Sequence, residues 1–287
     1  MAILTAENLN YIYSPDSPFK HDAIKNVSFS LEGGEILGII GHTGSGKSTL
    51  MQLLNGLLKP TSGKIMFDGK DIWENPKEIG TIRFKIGLVF QYPEYQLFEE
   101  TVEKDISFGP RNMKLTDDEI SARTLSAAVT VGLHRNLLQK SPFDLSGGEK
   151  RRTAIAGIMA MKPEIIIFDE PTAGLDPIGR ETVLKAICDY RKSNNATVII
   201  VSHSMEDVAS ICDKVLVLND GQVFMYDTVD NVFSNYESLK NIGLTVPEIT
   251  KVMLSLKASG VDIDTKVYTV DKAVEVISVY LSGGNVQ

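Results

Sequence analysis

Cysteine is nearly missing from this chain. Cys188 and Cys212 are the two present among 287 residues. They are too few for a disulfide framework and read as inert core thiols of a reducing compartment. A cationic excess is lacking too: Lys and Arg number 29 against 37 Asp and Glu, for a net charge of -8. A domain built mainly to hold nucleic acid carries a basic excess, so no nucleic-acid partner is expected. Long apolar runs are also absent. Nothing approaches the roughly 20 residues that span a bilayer, and runs such as 35–41 and 197–201 have strand length. The opening residues, Met1 to Asn8, have no basic segment followed by an apolar stretch, so no signal peptide is read there. There is no internal repeat and no low-complexity tract. Together these absences suggest the cytoplasm. The remaining composition, 43% hydrophobic and 23% charged, is that of a globular protein with one large or two smaller domains.

Hydropathy patterning sets the fold class. Residues 3–31 alternate apolar and polar around a turn cluster at 14–18, which predicts a small antiparallel sheet. Ile36 to Ile40 is a continuous apolar strand, followed by a Gly-rich loop and then Leu50, Leu53, Leu54 and Leu57 at helical spacing. Lys64 to Lys70 reads as a strand entering an Asp-Gly turn. Further apolar strands are expected at 86–90, 165–168, 198–201 and 215–218, with helical segments among them. The alternation predicts an α/β fold with a mostly parallel sheet. Thr116 and Glu119 form a capping box that opens a helix-rich stretch running to Met161. Beyond about Leu239 the pattern changes. Thr245 and Glu248 read as a second capping box, with Pro247 early in the helix. A last helix is expected over 270–281, stopping at Gly283-Gly284.

The chemistry concentrates in a few short motifs. Gly41-His42-Thr43-Gly44-Ser45-Gly46-Lys47-Ser48 fits G-x-x-x-x-G-K-[ST], and it lies between an apolar strand and a helix, as that motif requires. Its glycines let backbone N–H groups wrap phosphate oxygens at a helix N-terminus. Lys47 would reach the β- and γ-phosphates, and the Ser48 hydroxyl would meet Mg²⁺. The strand 165–168 runs into Asp169-Glu170, where the Asp would hold the metal and the Glu would act as general base toward water. These two motifs describe a P-loop nucleotide hydrolase without saying which. A third narrows it. Leu145-Ser146-Gly147-Gly148-Glu149 precedes a helix expected from about Lys150, and this second anion turn has no lysine of its own. It suits the nucleotide of another subunit.

Residues 145–149 resemble the signature of ATP-binding-cassette (ABC) ATPases, and a resemblance over roughly residues 3–235 follows in order. Gln91 is similar to the Q-loop glutamine, Ala173-Gly174-Leu175-Asp176 to the D-loop, and His203 to the switch histidine. Tyr13, with Tyr11 as second candidate, stands where an aromatic stacks on adenine. The resemblance implies ATP and Mg²⁺ as cofactors. Glu170, His203 and Gln91 are then the catalytic set, and Ser48, Gln91 and Asp169 the metal ligands. Gly41 to Thr49, Tyr13 and Ser146 to Gly148 are the nucleotide contacts. The implied fold is a P-loop NTPase cassette with a RecA-like mixed sheet core, an antiparallel β subdomain and a helical subdomain at about 93–161. This cassette spans 1–238, and 239–287 is a small C-terminal helical extension that makes dimer contacts.

The same signature occurs in chromosome-maintenance and repair ATPases, which insert a long coiled coil between the ATP motifs. Here only residues 42–144 separate Gly41 from Leu145, without sustained heptads. The stretches 41–47, 91–98, 150–157 and 169–177, with Gly243 to Pro247, look like energy-coupling factor (ECF) importers, and specifically the second of their two ATPase types. Glu149 departs from the Gln usual there. The resemblance implies a heterodimer with a first-type ATPase, docked on a transmembrane coupling (T) subunit that joins a substrate-binding membrane (S) subunit. The chain would be peripheral at the cytoplasmic face of the membrane, with the coupling helix near Gln91 and residues 92–98. Competing readings are another ABC transporter class and a soluble nucleic-acid-linked ABC ATPase.

Overall fold

The computed structural model describes residues 2–282; the expected stop at Gly283-Gly284 lies outside them. Two long strands, β1 (Ala2–Tyr13) and β2 (His21–Glu32), pair antiparallel. β3 (Ile36–Ile40) leads through the glycine loop into α1 (Lys47–Leu54). β4 (Ser62–Phe67) returns against β1, and β5 (Lys70–Asp71) closes this first sheet in the order β2-β1-β4-β5. The Asp68-Gly69 turn has positive φ at both residues, 49° and 74°, the backbone that a two-residue hairpin needs.

The second sheet is assembled from distant parts of the chain. After α2 (Ile79–Lys85) comes β6 (Ile86–Val89). Three helices follow, α3 (Val102–Asn112), α4 (Asp117–Thr130) and α5 (Gly147–Ala160). Then come β7 (Ile165–Asp169), α6 (Pro177–Asn194), β8 (Thr197–Val201), α7 (Met205–Ile211), β9 (Lys214–Asn219) and β10 (Gln222–Thr228). The order is β10-β9-β3-β8-β7-β6, with only β10 antiparallel to its neighbour. The central strands β3, β7 and β8 read as apolar runs because both faces are covered. Ile165 and Ile167 pack with α1 and the first sheet, while Ile166 and Phe168 pack with the helices opposite.

α8 (Val229–Ser234) and α9 (Tyr236–Asn241) pack on β9 and α7. α10 (Glu248–Ala258) and α11 (Val270–Leu281) enclose a separate small core of Met253, Ile263, Val267, Ala273 and Val276. Two helix starts differ from the sequence expectation. α5 begins at Gly147 rather than near Lys150, because Ser146 is its N-cap and Glu149 completes a capping box. Thr245 caps nothing: its hydroxyl donates to the Val246 carbonyl at 3.3 Å. The N-cap position is Pro247, and the free Glu248 N–H donates instead to Glu206 of α7 at 3.2 Å. A tertiary acceptor has replaced the local one.

Arg151 ties the helical layer to the sheet. Its buried guanidinium donates to both Glu94 oxygens, at 2.8 and 3.1 Å, and to the Ala173 carbonyl at 2.5 Å. Breaking a buried pair strands one charge, whereas removing both charges is tolerated. Glu94→Ala should therefore cost about 3 kcal/mol of unfolding free energy. In chemical denaturation, replacing Arg151 by Met and Glu94 by Leu together should cost less than that.

Candidate nucleotide site

Four neighbouring parallel strands end in one row. Ile39 is level with Val201, Val201 with Asp169, and Phe168 with Val89. Past these ends the chain delivers the glycine loop from β3, His203 from β8, Asp169 and Glu170 from β7, and Gln91 from β6. Ligands of parallel α/β sheets sit at this carboxyl edge. A cavity of about 440 Å³ lies there, lined by Tyr13, the glycine loop with Lys47, Ser48 and Thr49, and by Gln91, Asp169, Glu170 and His203. His21 and Ala23 of β2 line it as well. No local motif marks His21; it arrives there as the strand partner of Tyr13.

The loop's glycines are needed sterically. A Cβ on Gly41 would lie 2.4 Å from the Leu218 carbonyl oxygen. Gly46 has φ 100° and would drive a Cβ to 2.6 Å from the Ala23 carbonyl oxygen. The loop is also braced from outside. His42 turns away from the cavity, with its ring nitrogens 2.8 Å from the Thr43 carbonyl and 3.0 Å from Asn219 Oδ1. His42 thereby links the loop to the β9–β10 turn. The Gly221 N–H adds a bond to the Ser45 carbonyl at 3.1 Å. The buried Ser45 hydroxyl has no hydrogen-bond partner.

Lys47 folds back on its own loop and donates to the carbonyls of Gly41 at 2.6 Å and His42 at 3.0 Å. Burial lowers its pKa, and the Glu170 and Asp169 charges partly restore it. Burial raises Asp169, with Lys47 opposing. Glu170 is pushed up to about 7, first by burial and then by the Asp169 charge. Burial and Lys47 lower His203, which favours the neutral imidazole. His203 Nε2 stands 3.6 Å from Glu170 Oε1, too far for a hydrogen bond. That Glu170 oxygen is buried without a partner, and Glu170 sits at φ 49°. An unpaired buried carboxylate oxygen on strained backbone marks a place of function.

Tyr13, not Tyr11, lines the cavity. Its hydroxyl lies 3.3 Å from Thr49 Oγ1, while Tyr11 packs edge-on against it and into the core. Ser146, Gly147 and Gly148 lie outside the cavity, at the start of α5. The Ser146 hydroxyl donates to Glu149 at 2.7 Å, and this bond lowers the Glu149 pKa. The structure therefore does not bring these three residues together with Lys47.

Sheet order, glycine loop and acidic strand end define a P-loop nucleotide-binding protein. Comparison with known proteins gives the particular family. The protein-family profile described as "ABC transporter" matches residues 24–173. The energy-coupling factor transporter ATP-binding protein EcfA2 of Clostridium acetobutylicum is 52% identical, over 93% of this chain and 94% of that one. Its namesake in Clostridium perfringens is 50% identical over 97% and 98%. Among solved structures, cbiO1 from Clostridium perfringens, described as part of the ABC transporter complex cbiONQ, superimposes with TM-score 0.75 at 42% identity, covering 88% of this chain and 99% of that one. The ATP-binding cassette MJ0796, in a dimeric post-hydrolysis state bound to ADP and Pi, gives 0.70 at 28% identity over 79% and 98%. This chain belongs to the ABC transporter ATPases, among the energy-coupling factor ATP-binding proteins.

The raised Glu170 has a measurable consequence. Folding favours its neutral form, so the folded chain holds an extra proton between pH 4.5 and about 7. The stability this confers is full below pH 4.5 and lost as pH rises through 7. Glu170→Gln stays neutral throughout. Without nucleotide it should exceed the wild type at pH 8 by up to about 3 kcal/mol, and the gap should close toward pH 5 in denaturant titrations.

Proposed function

We propose that this chain is the second-type ATPase subunit of an energy-coupling factor importer, driving uptake of a vitamin or other micronutrient. The observation that carries the reading is the convergence of glycine loop, acidic pair, Gln91 and His203 on one cavity. On this reading residues 1–238 are the ATPase unit, with a helical subdomain at about 93–161. Residues 239–287 are an extension that adds dimer contacts.

ATP enters with its adenine against Tyr13 and its phosphates in the loop 41–49. Lys47 exchanges two loop carbonyls for phosphate oxygens. Ser48, Asp169 and Gln91 offer a hydroxyl, a carboxylate and an amide, all oxygen donors. Among the described residues no three His, Cys, Asp or Glu cluster as a metal site. That donor set fits Mg²⁺, which binds through one or two protein oxygens together with substrate phosphates. The ion, when bound, supplies positive charge to the phosphates. Glu170, poised near neutrality, takes the proton of the attacking water. The neutral His203 donates an N–H to the γ-phosphate, whose bond to ADP breaks. The Ser146–Gly148 turn serves the nucleotide of the opposing cassette, and the dimer opens after hydrolysis.

The partners follow from the same reading: a first-type ATPase, a transmembrane T subunit, and through it an S subunit that selects the substrate. No helix among the described residues is long and apolar enough to cross a membrane. The chain would act peripherally at the cytoplasmic face. A groove of about 410 Å³, lined by Pro93, Leu97, Phe98, Phe108 and Met161, is where the T subunit's coupling helix would seat.

Glu170→Gln should bind ATP with near-normal affinity, lower turnover at least a hundredfold, on the scale of lost acid–base catalysis, and hold the dimer closed on a sizing column. Turnover near the wild-type rate would remove Glu170 from the role of base. Detergent extraction should bring down a polytopic membrane partner. A free chain whose ATPase rises with added DNA would overturn the importer assignment.

A further inference from the structure

The two catalytic groups of the proposed site stand on separate loops just beyond the paired ends of β7 and β8. β7 and β8 pair as far as Asp169 and Val201, and the Glu170 N–H makes one more bond, to the Val201 carbonyl at 2.9 Å. Past that point, among the described residues, no backbone hydrogen bond joins residues 171–176 to residues 202–204. Yet Glu170 and His203 must keep their separation for one to face the water and the other the phosphate. Misplacement by about 1 Å can cost a hundredfold in rate.

A side chain spans the gap. Asp207, on α7, is almost wholly buried. Its Oδ2 accepts from the Thr172 hydroxyl at 2.5 Å, two residues past Glu170. Its Oδ1 accepts from Arg180 Nε at 2.6 Å, at the start of α6 just beyond the D-loop-like turn. Arg180 Nη2 also donates to the Ser204 hydroxyl at 2.9 Å, one residue past His203. Ser204 in turn accepts from the Asp207 N–H at 3.1 Å. Asp207, Arg180 and Ser204 close a ring, and Thr172 is joined to it through Asp207. A carboxylate this deep is retained when it is paired and its lone pairs are used, and both conditions hold here.

Resting on the ATPase reading above, we infer that Asp207 is a positioning residue for hydrolysis: it locks the Glu170 segment and the His203 segment at a fixed spacing through Thr172, Arg180 and Ser204. Neither Asp207 nor Thr172 lines the nucleotide cavity. Their loss should therefore lower kcat and leave nucleotide binding as it is.

The experiment uses the transporter purified with its membrane partners, measuring ATPase kcat and KM, binding of a fluorescent ATP analogue, and the melting temperature. Thr172→Val keeps the side-chain volume and deletes one hydroxyl. It should lower kcat on the order of tenfold with KM and analogue binding within twofold, and Thr172→Ser should restore the rate. Asp207→Asn should match or exceed the loss. The double variant should be no worse than Asp207→Asn alone, because both break one link. Wild-type kcat in Thr172→Val, independent losses in the double variant, or a loss seen in KM instead of kcat would each overturn the inference. Should Asp207→Asn melt early, the Thr172 pair decides alone. A wild-type complex without ATPase would instead refute the underlying functional reading.

Discussion

The parallel register of β3, β8, β7 and β6 is the constraint on which the rest depends. Each strand contributes little by itself: a loop, a histidine, two acids, an amide. They become a site because hydrogen bonds between strands bring the four ends level. A slip of one residue would turn every side chain of that strand to the opposite face and misplace its end. The apolar runs Ile36–Ile40 and Ile165–Phe168 guard against such a slip, since both faces of the sheet are buried.

Charge is the second organising principle. Two half-buried carboxylates face one buried lysine, and all three have moved toward neutrality. The lysine is occupied with loop carbonyls in the meantime. A site in this condition gains from a ligand that offers the lysine better acceptors. The Thr172–Asp207–Arg180–Ser204 network has the opposite character, because its charges are already paired and its geometry is complete without a ligand.

Much of this was legible in the sequence because it is local. Gly41 to Ser48, Asp169-Glu170 and the Asp68-Gly69 turn are read from adjacent residues whose backbone requirements are steric. The Thr116 capping box is equally local, and it formed as expected. What could not be read depends on partners far along the chain. His42 is held by Asn219, Arg151 by Glu94, and Thr172 by Asp207. Thr245 shows the same limit from the other side. Its local pattern matched a helix start, but Glu206 of another helix supplied the acceptor and the start moved. The resemblance to cassette ATPases named Gln91 and His203, which no spacing rule would have singled out. It did not point to His21, which reaches the cavity only through strand pairing.

The position of β3 in its sheet bears on how the molecule is made. Its two neighbours, β8 and β9, lie more than 150 residues further along the chain. A parallel sheet built from such distant segments closes slowly, because the loop entropy is spent before the contacts reward it. During synthesis the glycine loop therefore emerges early and waits. The turn that braces His42 and Ser45 arrives only with residues 219–221. A nascent chain that has already displayed its phosphate motif still lacks the Asp169, Glu170 and His203 walls of the cavity.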